Sequence, residues 1–223
     1  MTNKLDTQES LDLRHHMVAD QLLRRGIGDE AILQAFQAVP RHLFVAHASI
    51  KDAYRDEPLP IRAGQTISQP YIVALMLTYL DIRPHHRVLE IGSGSGYSTA
   101  IMASLCRHVT GIEVFQELLK EAQHSLSKLH IDNVNLNHAS AWEQFDQEQV
   151  YDRIILWASP PKIPAHLFGK MDEDSILVAP QGKGEQFVWK FTKNEGKIDR
   201  VRLDPVRFVP LVQGTVQEID INR

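Results

Sequence analysis

Residues 88–99 read Val88-Leu-Glu-Ile-Gly-Ser-Gly-Ser-Gly-Tyr-Ser-Thr99, an apolar run that stops at a glycine-rich turn and passes into a helical pattern. A buried strand, a bare-backbone turn and a helix in that order form a seat for a nucleotide-like ligand. In this reading Gly92 allows a sharp exit from the strand. Gly94 lets backbone approach the ligand, and Gly96 lets the helix pack closely. The spacing is G-x-G-x-G, whereas a dinucleotide fingerprint is G-x-G-x-x-G. Its third glycine would fall at Tyr97, a side chain that would crowd the approach of helix to strand. Glu90 sets a carboxylate two residues before the turn, which suits a cationic ligand better than a diphosphate. Glu113 ends the next strand, where a carboxylate can accept both ribose hydroxyls. Acid on both sides of the turn favours S-adenosylmethionine, which carries a ribose, an ammonium and a sulfonium but no phosphate. A nicotinamide dinucleotide is the competing ligand.

Working outward, the chain beyond residue 86 alternates. Strand candidates are Arg87–Ile91, Val109–Glu113, Val134–Asn137, Arg153–Ala158, Ser175–Ala179, Phe187–Thr192 and Arg207–Val212. Helical patterns cover Ser98–Leu105, Phe115–Leu129 and Pro164–Lys170, with a weak one at Ala141–Gln149. Strands alternating with helices predict a parallel sheet covered on both faces. The last two candidates lack a helix between them and read as an antiparallel pair at the sheet edge. Upstream, residues 9–38 have helical spacing broken at Gly26-Ile-Gly28, and Tyr71–Leu80 reads as an apolar helix. Between them Tyr54–Pro70 forms a long loop with three prolines, a type more often functional than idle. The expected architecture is α/β and Rossmann-like: residues 1–82 as a helical extension carrying a lid loop, residues 83–223 as the core.

Composition narrows the classes of function. The 223 residues are 43% hydrophobic and 23% charged, the balance of an ordinary globular protein. No apolar run is long enough for a membrane span. The net charge of −4 argues against a broad nucleic-acid footprint. The most basic window, Lys190–Arg207, is interrupted by Glu195, Asp199 and Asp204 and reads as a solvated hairpin. Cys106 is the single cysteine and reads as a buried structural thiol. With the polar, acidic N-terminus, it suggests a cytoplasmic protein. The adjacent pairs His15-His16 and His85-His86 lack metal-ligand spacing, so no metal is expected. No motif speaks to oligomeric state.

Five segments in order, VPRHLFV (39–45), DEPLPIRAGQTISQPYIVALM (56–76), VLEIGSGSGYSTAIMA (88–103), YDRIIL (151–156) and RFVPL (207–211), resemble the protein-L-isoaspartate O-methyltransferases. The resemblance implies a seven-stranded Rossmann-like sheet and S-adenosylmethionine as methyl donor, with S-adenosylhomocysteine as product. Its implied substrates are proteins or peptides bearing isomerised aspartyl residues. By the same resemblance Ser68 is the active-site serine and, with Thr66, helps orient the substrate carboxylate. Gln65 and Thr66 belong to the cofactor lid, Gly92, Ser93, Gly94 and Gly96 to the cofactor loop, and Glu113 binds the ribose. From local sequence alone, Ser68 is also a candidate helix N-cap ahead of Pro70.

The chain departs from that pattern in three places. The family's Gly-Asp-Gly, whose acid meets the adenine amino group, is replaced by Asn137-His-Ala-Ser-Ala-Trp142. The acid then falls near Ala139, with Ser140 or backbone as a substitute and Trp142 as a cover for the adenine face. Met171–Ser175 replaces a glycine-rich turn, and Trp157–Pro161 replaces small alanines on the substrate side. These departures keep two alternatives in play: the same fold with another substrate, and a non-catalytic methyl-donor-binding protein.

Overall fold

In a computed structural model of the chain, residues 5–45, 47–143 and 149–221 are described. The main sheet has seven strands: β3 (Arg87–Ile91), β4 (His108–Glu113), β5 (Val134–His138), β6 (Tyr151–Leu156), β7 (Met171–Gln181), β8 (Gln186–Asn194) and β9 (Lys197–Val206). Their order is β5-β4-β3-β6-β7-β8-β9, the first five parallel and β8 and β9 antiparallel. The chain reverses direction across the sheet at β3, so the turn after that strand lies where open α/β sheets bind ligands. A two-stranded ladder, β1 (Leu59–Pro60) with β2 (Thr66–Ile67), folds the long loop back on itself.

The helices follow their local chemistry. α1 (Gln8–His16) carries a Thr7/Ser10 capping box, and α2 (Glu30–Ala38) starts at Asp29, whose carboxylate accepts from the Ala31 and Ile32 N–H groups. The helical block that α1 opens ends at Gly26, φ +92°, the break expected at Gly26–Gly28. α3 (Ile50–Ala53), α4 (Pro70–Leu80), α5 (Tyr97–Ala103), α6 (Gln116–Lys128), α7 (Ala165–Gly169) and the C-terminal α8 (Val216–Ile221) complete the set. One apolar cluster runs from Met17, Leu22 and Phe36 of the N-terminal part through Leu80 to Ile101 of α5 and Val109 of β4. Tyr97 joins the two parts, its ring edge-on to Phe36 and Phe44 with centroids 6.0 and 5.6 Å away. Among the described residues no helix is long and apolar enough to cross a membrane.

The seventh strand is a correction. It is Lys197–Val206, and Arg207–Val212 makes a single parallel bridge, Ser159 with Pro210. β9 is an edge strand whose side chains are mostly exposed, so its charges hid the alternating pattern that a half-buried strand displays. The basic window accordingly forms the β8–β9 hairpin, turning at Asn194–Lys197. Met171–Ser175 belongs to β7 as a bulge, with Asp174 at φ +59°. The weak helix expected at Ala141–Gln149 is a turn at 141–142, and its residues 144–148 lie outside the described residues. Cys106 is buried, which pushes its thiol pKa up to about 12.

His86 yields a pH prediction. Its Nδ1 accepts the Arg83 N–H at 2.9 Å, and burial, then the Arg153 charge, lowers its pKa to about 4. Between the unfolded value near 6.5 and about 4, the unfolded chain takes a proton that the folded chain refuses, so stability falls as pH drops through that window. Thermal melts from about pH 7 to about pH 4.5 should show a steeper loss for the wild type than for His86→Asn, which retains an acceptor.

Candidate functional site

The site is built on the carboxyl ends of β3, β4 and β6. After β3 the chain turns through Gly92, Gly94 and Gly96, all at positive φ (82°, 53° and 86°). Gly96 is demanded twice over: besides its φ, an added Cβ would sit 3.0 Å from Ala122 Cβ and 3.2 Å from Ala122 Cα in α6. The close helix approach expected of Gly96 is therefore made by the loop against α6.

Glu90 lies beneath the loop. It is fully buried, and its carboxylate accepts from Ser98 Oγ (2.5 Å), Thr99 Oγ1 and Trp157 Nε1 (2.8 Å). Burial pushes its pKa up, against the pull of these donors. The carboxylate expected to meet a cationic ligand is thus held by protein donors and fixes the loop from below. Glu113, also buried, accepts the Gly94 N–H at 2.8 Å with one oxygen and the Phe115 N–H at 2.9 Å with the other. Burial again raises its pKa ahead of the opposing backbone bonds. A carboxylate has about four acceptor positions, so Glu113 retains capacity for two ribose hydroxyls.

A cleft opens over these residues. Gly92, Gly94, Glu113, Gln65, Thr66, Ala139 and Ser140 all line it, with Ile91, Ile112, Phe115 and Leu118 giving it an apolar floor and side. A smaller cavity adjoins it, lined by Ser68, Ser93, Tyr97 and Ser98 among others. Thr66, Gly92, Gly94 and Trp157 belong to both walls. Glu90 and Gly96 line neither.

Ser68 is not the helix cap. Gln69 occupies the N-cap of α4 without a side-chain bond, and the helix begins at Pro70. Ser68 sits one residue further out and lines the small cavity. Its carbonyl accepts from Arg41 Nη2 at 2.9 Å. The lid turn at Arg62–Gly64 is tied to α6 by an Arg62–Glu121 ion pair.

The far wall is the stretch read as a strand. Val209, Pro210, Leu211 and Val212 line the cleft as a strap, held where Ser159 N–H donates to Val209 O (2.8 Å) and Leu211 N–H to Ser159 O (3.0 Å). Ser140 and Trp142 serve this strap. Ser140 Oγ donates to Gly214 O at 2.6 Å and Trp142 Nε1 to Val212 O at 2.8 Å, and Trp142 does not line the cleft. An indole N–H finds its partner when half-buried, and here the partner lies on the strap. Sequence reasoning missed Glu143, whose Oε2 accepts from Ser140 N and Val216 N, and Arg41. The Ser140-x-x-Glu143 spacing is a local capping signal for the first, whereas Arg41 acts only across long sequence separations.

The glycine loop, the acid ending β4 and the parallel sheet define the class: a Rossmann-like α/β transferase built for an adenosyl methyl donor. The chain belongs to the protein-L-isoaspartate(D-aspartate) O-methyltransferase family, whose family model matches residues 13–216. It is 42% identical over 204 residues to a protein-L-isoaspartate O-methyltransferase of Sodalis glossinidius (strain morsitans), covering 92% of this chain and 98% of that one. It is similar to a Plasmodium falciparum structure solved as a protein-L-isoaspartate O-methyltransferase in complex with S-adenosyl-L-homocysteine. That match has TM-score 0.79 and 28% identity, over 92% of this chain and 99% of the other. A second protein-L-isoaspartate O-methyltransferase structure shares the fold at TM-score 0.82 and 23% identity, over 90% and 66% of the two chains.

Gly96→Ala tests how tightly the loop is held. Strain at positive φ and overpacking on Ala122 should cost about 1–3 kcal/mol of stability, and calorimetry should find weaker S-adenosylhomocysteine binding.

Proposed function

We propose that this protein is an S-adenosylmethionine-dependent carboxyl methyltransferase that acts on L-isoaspartyl and D-aspartyl residues of damaged proteins. The observation that carries the proposal is the shared wall: Thr66 and Trp157 border both the cleft over Glu113 and the small cavity holding Ser68. A donor seated in the first and a carboxylate in the second would meet across that wall.

The residues fit the methyl donor. Glu113 has acceptor positions for the ribose, the bare backbone at Gly92 and Gly94 admits close approach, and the apolar wall suits an adenine face. The family's adenine acid is absent at Ala139, and the Ser140 hydroxyl is engaged with Gly214. We assign adenine binding to packing and to backbone at 139–141. When bound, the donor supplies an electrophilic sulfonium methyl group.

No base is required of the protein. A substrate carboxylate with pKa about 4 is already ionised at neutral pH. Thr66, Ser68 and their backbone orient its oxygen toward the cleft. Gln65, Thr66 and the strap at 209–212 screen the junction from water. Holding reactants in line can supply roughly 7–11 kcal/mol of rate enhancement. The ligand-facing residues are thus positioning groups, in keeping with a site that lacks a nucleophile–base pair.

The substrates we infer are isoaspartyl-bearing proteins or peptides. The lone buried cysteine is in keeping with a reducing compartment, and we assign the protein to the cytoplasm.

The test is a paired-peptide assay with labelled donor. Label should pass to an isoaspartyl peptide and not to its aspartyl twin, and Ser68→Ala should lower kcat/KM by about 10- to 100-fold, the worth of one hydrogen bond to a charged group. Labelling of neither peptide by a protein that binds S-adenosylhomocysteine would refute the reading.

A further inference from the structure

Among the described residues, Arg41 is the largest side chain with essentially no exposure. Its Nε donates to Ala53 O at 2.8 Å and its Nη2 to Ser68 O at 2.9 Å. The guanidinium carbon lies 4.8 Å from the centre of the Tyr97 ring, on the small-cavity wall. The Tyr97 hydroxyl interacts with the guanidinium, although neither it nor Nη1 completes a full hydrogen bond among the described residues. No carboxylate is within ion-pair distance of Arg41 among them. Asp56, the acid whose charge reaches it, is already paired with Arg25 and accepts from Gln69 Nε2 and Tyr71 N–H. Arginine stays charged in proteins, and a buried cation without an anionic partner is costly. Buried cations are otherwise paired, so this one calls for a reason.

We propose that Arg41 is a positioning and specificity residue: its fork ties the Ser68 carbonyl to that of Ala53, and its charge, without a direct ion-pair partner, makes the small cavity select a carboxylate. The inference rests on the functional reading above. The substrate arrives carrying one negative charge, and behind Ser68 stands a positive charge with no carboxylate in direct contact among the described residues. Methyl transfer forms an oxygen–carbon bond and breaks the sulfur–carbon bond. The anion and the sulfonium both become neutral, so the ester product loses its attraction to Arg41 and leaves. The field therefore acts on binding and on choice of substrate, while the fork acts on alignment.

The experiment compares binding of an isoaspartyl peptide with that of the same peptide whose free carboxyl is a primary amide. Both are measured by inhibition or titration, with S-adenosylhomocysteine affinity as the check of folding. The wild type should prefer the carboxylate by about tenfold or more. That preference should survive at ~0.5 M salt, where exposed charges are screened. Arg41→Lys keeps the charge and loses the fork, so the preference stays while kcat falls. Arg41→Gln keeps a donor and loses the charge, so the preference shrinks by about fivefold or more. A merely structural arginine would weaken both peptides equally in Arg41→Gln, and that result overturns the proposal. A wild type that binds both peptides alike, or whose preference vanishes in salt, overturns it without any variant. If Arg41→Gln does not fold, the Lys variant decides: a retained preference supports the proposal and a lost one overturns it. A wild type that methylates without charge preference defeats this inference alone, whereas one that methylates nothing defeats the functional reading as well.

Discussion

A carboxylate with no solvent holds the site together. Glu90 is inside the protein, and Ser98 and Thr99 of α5 and Trp157 after β6 all donate to it. Leaving such a charge with fewer partners would cost several kcal/mol, so the loop, the helix and the β6 terminus are locked to one another. Four of the residues around it, at 93, 98, 99 and 157, come from three separate elements, and their donors agree only in one arrangement. That arrangement leaves Gly92 and Gly94 facing the cleft with their backbone bare.

Two further clamps build on this base. Glu113 takes the Gly94 and Phe115 N–H groups and so sets the loop's height above β4. At the other rim, Ser140, Trp142 and Glu143 gather the strap and the start of α8, whose Ile219 packs on Phe115 and Leu118. The turn that in the family carries an adenine-binding acid here holds the C-terminal segment down. Ala139 stands at the acid's place, and its neighbours Ser140 and Trp142 bond the C-terminal segment at Gly214 and Val212. Arg41 supplies the counterpart on the substrate side, fixing Ser68 through its carbonyl.

Much of this was legible in the chain itself. The apolar run into G-x-G-x-G gave away the strand, the turn and the ligand class, because periodicity and glycine spacing are local properties. The helices at 70–80 and 116–128 matched their patterns to within a residue or two of the expected ends. What failed was non-local. Arg207–Val212 looks like a strand because its residues are mostly apolar, yet its one bridge is to Ser159, while the charged β9 passes for a solvated stretch. Ser68 looks like a cap because it precedes Pro70, and the helix starts one residue later than that role needs. Glu90 was read as facing a ligand because sequence gives the position of a carboxylate and not its direction. Arg41 stood in VPRHLFV without a local sign that its partners lay at residues 53 and 68.

The central claim is a division of labour between two buried acids, one shaping the loop and the other receiving the ribose. A crystal structure of the protein with S-adenosylhomocysteine tests it most directly. Both ribose hydroxyls should lie within hydrogen-bond distance of Glu113, with Glu90 still held by Ser98, Thr99 and Trp157. A Glu90 carboxylate released from those donors and bound to the ligand, or a ligand seated away from Glu113, would contradict it.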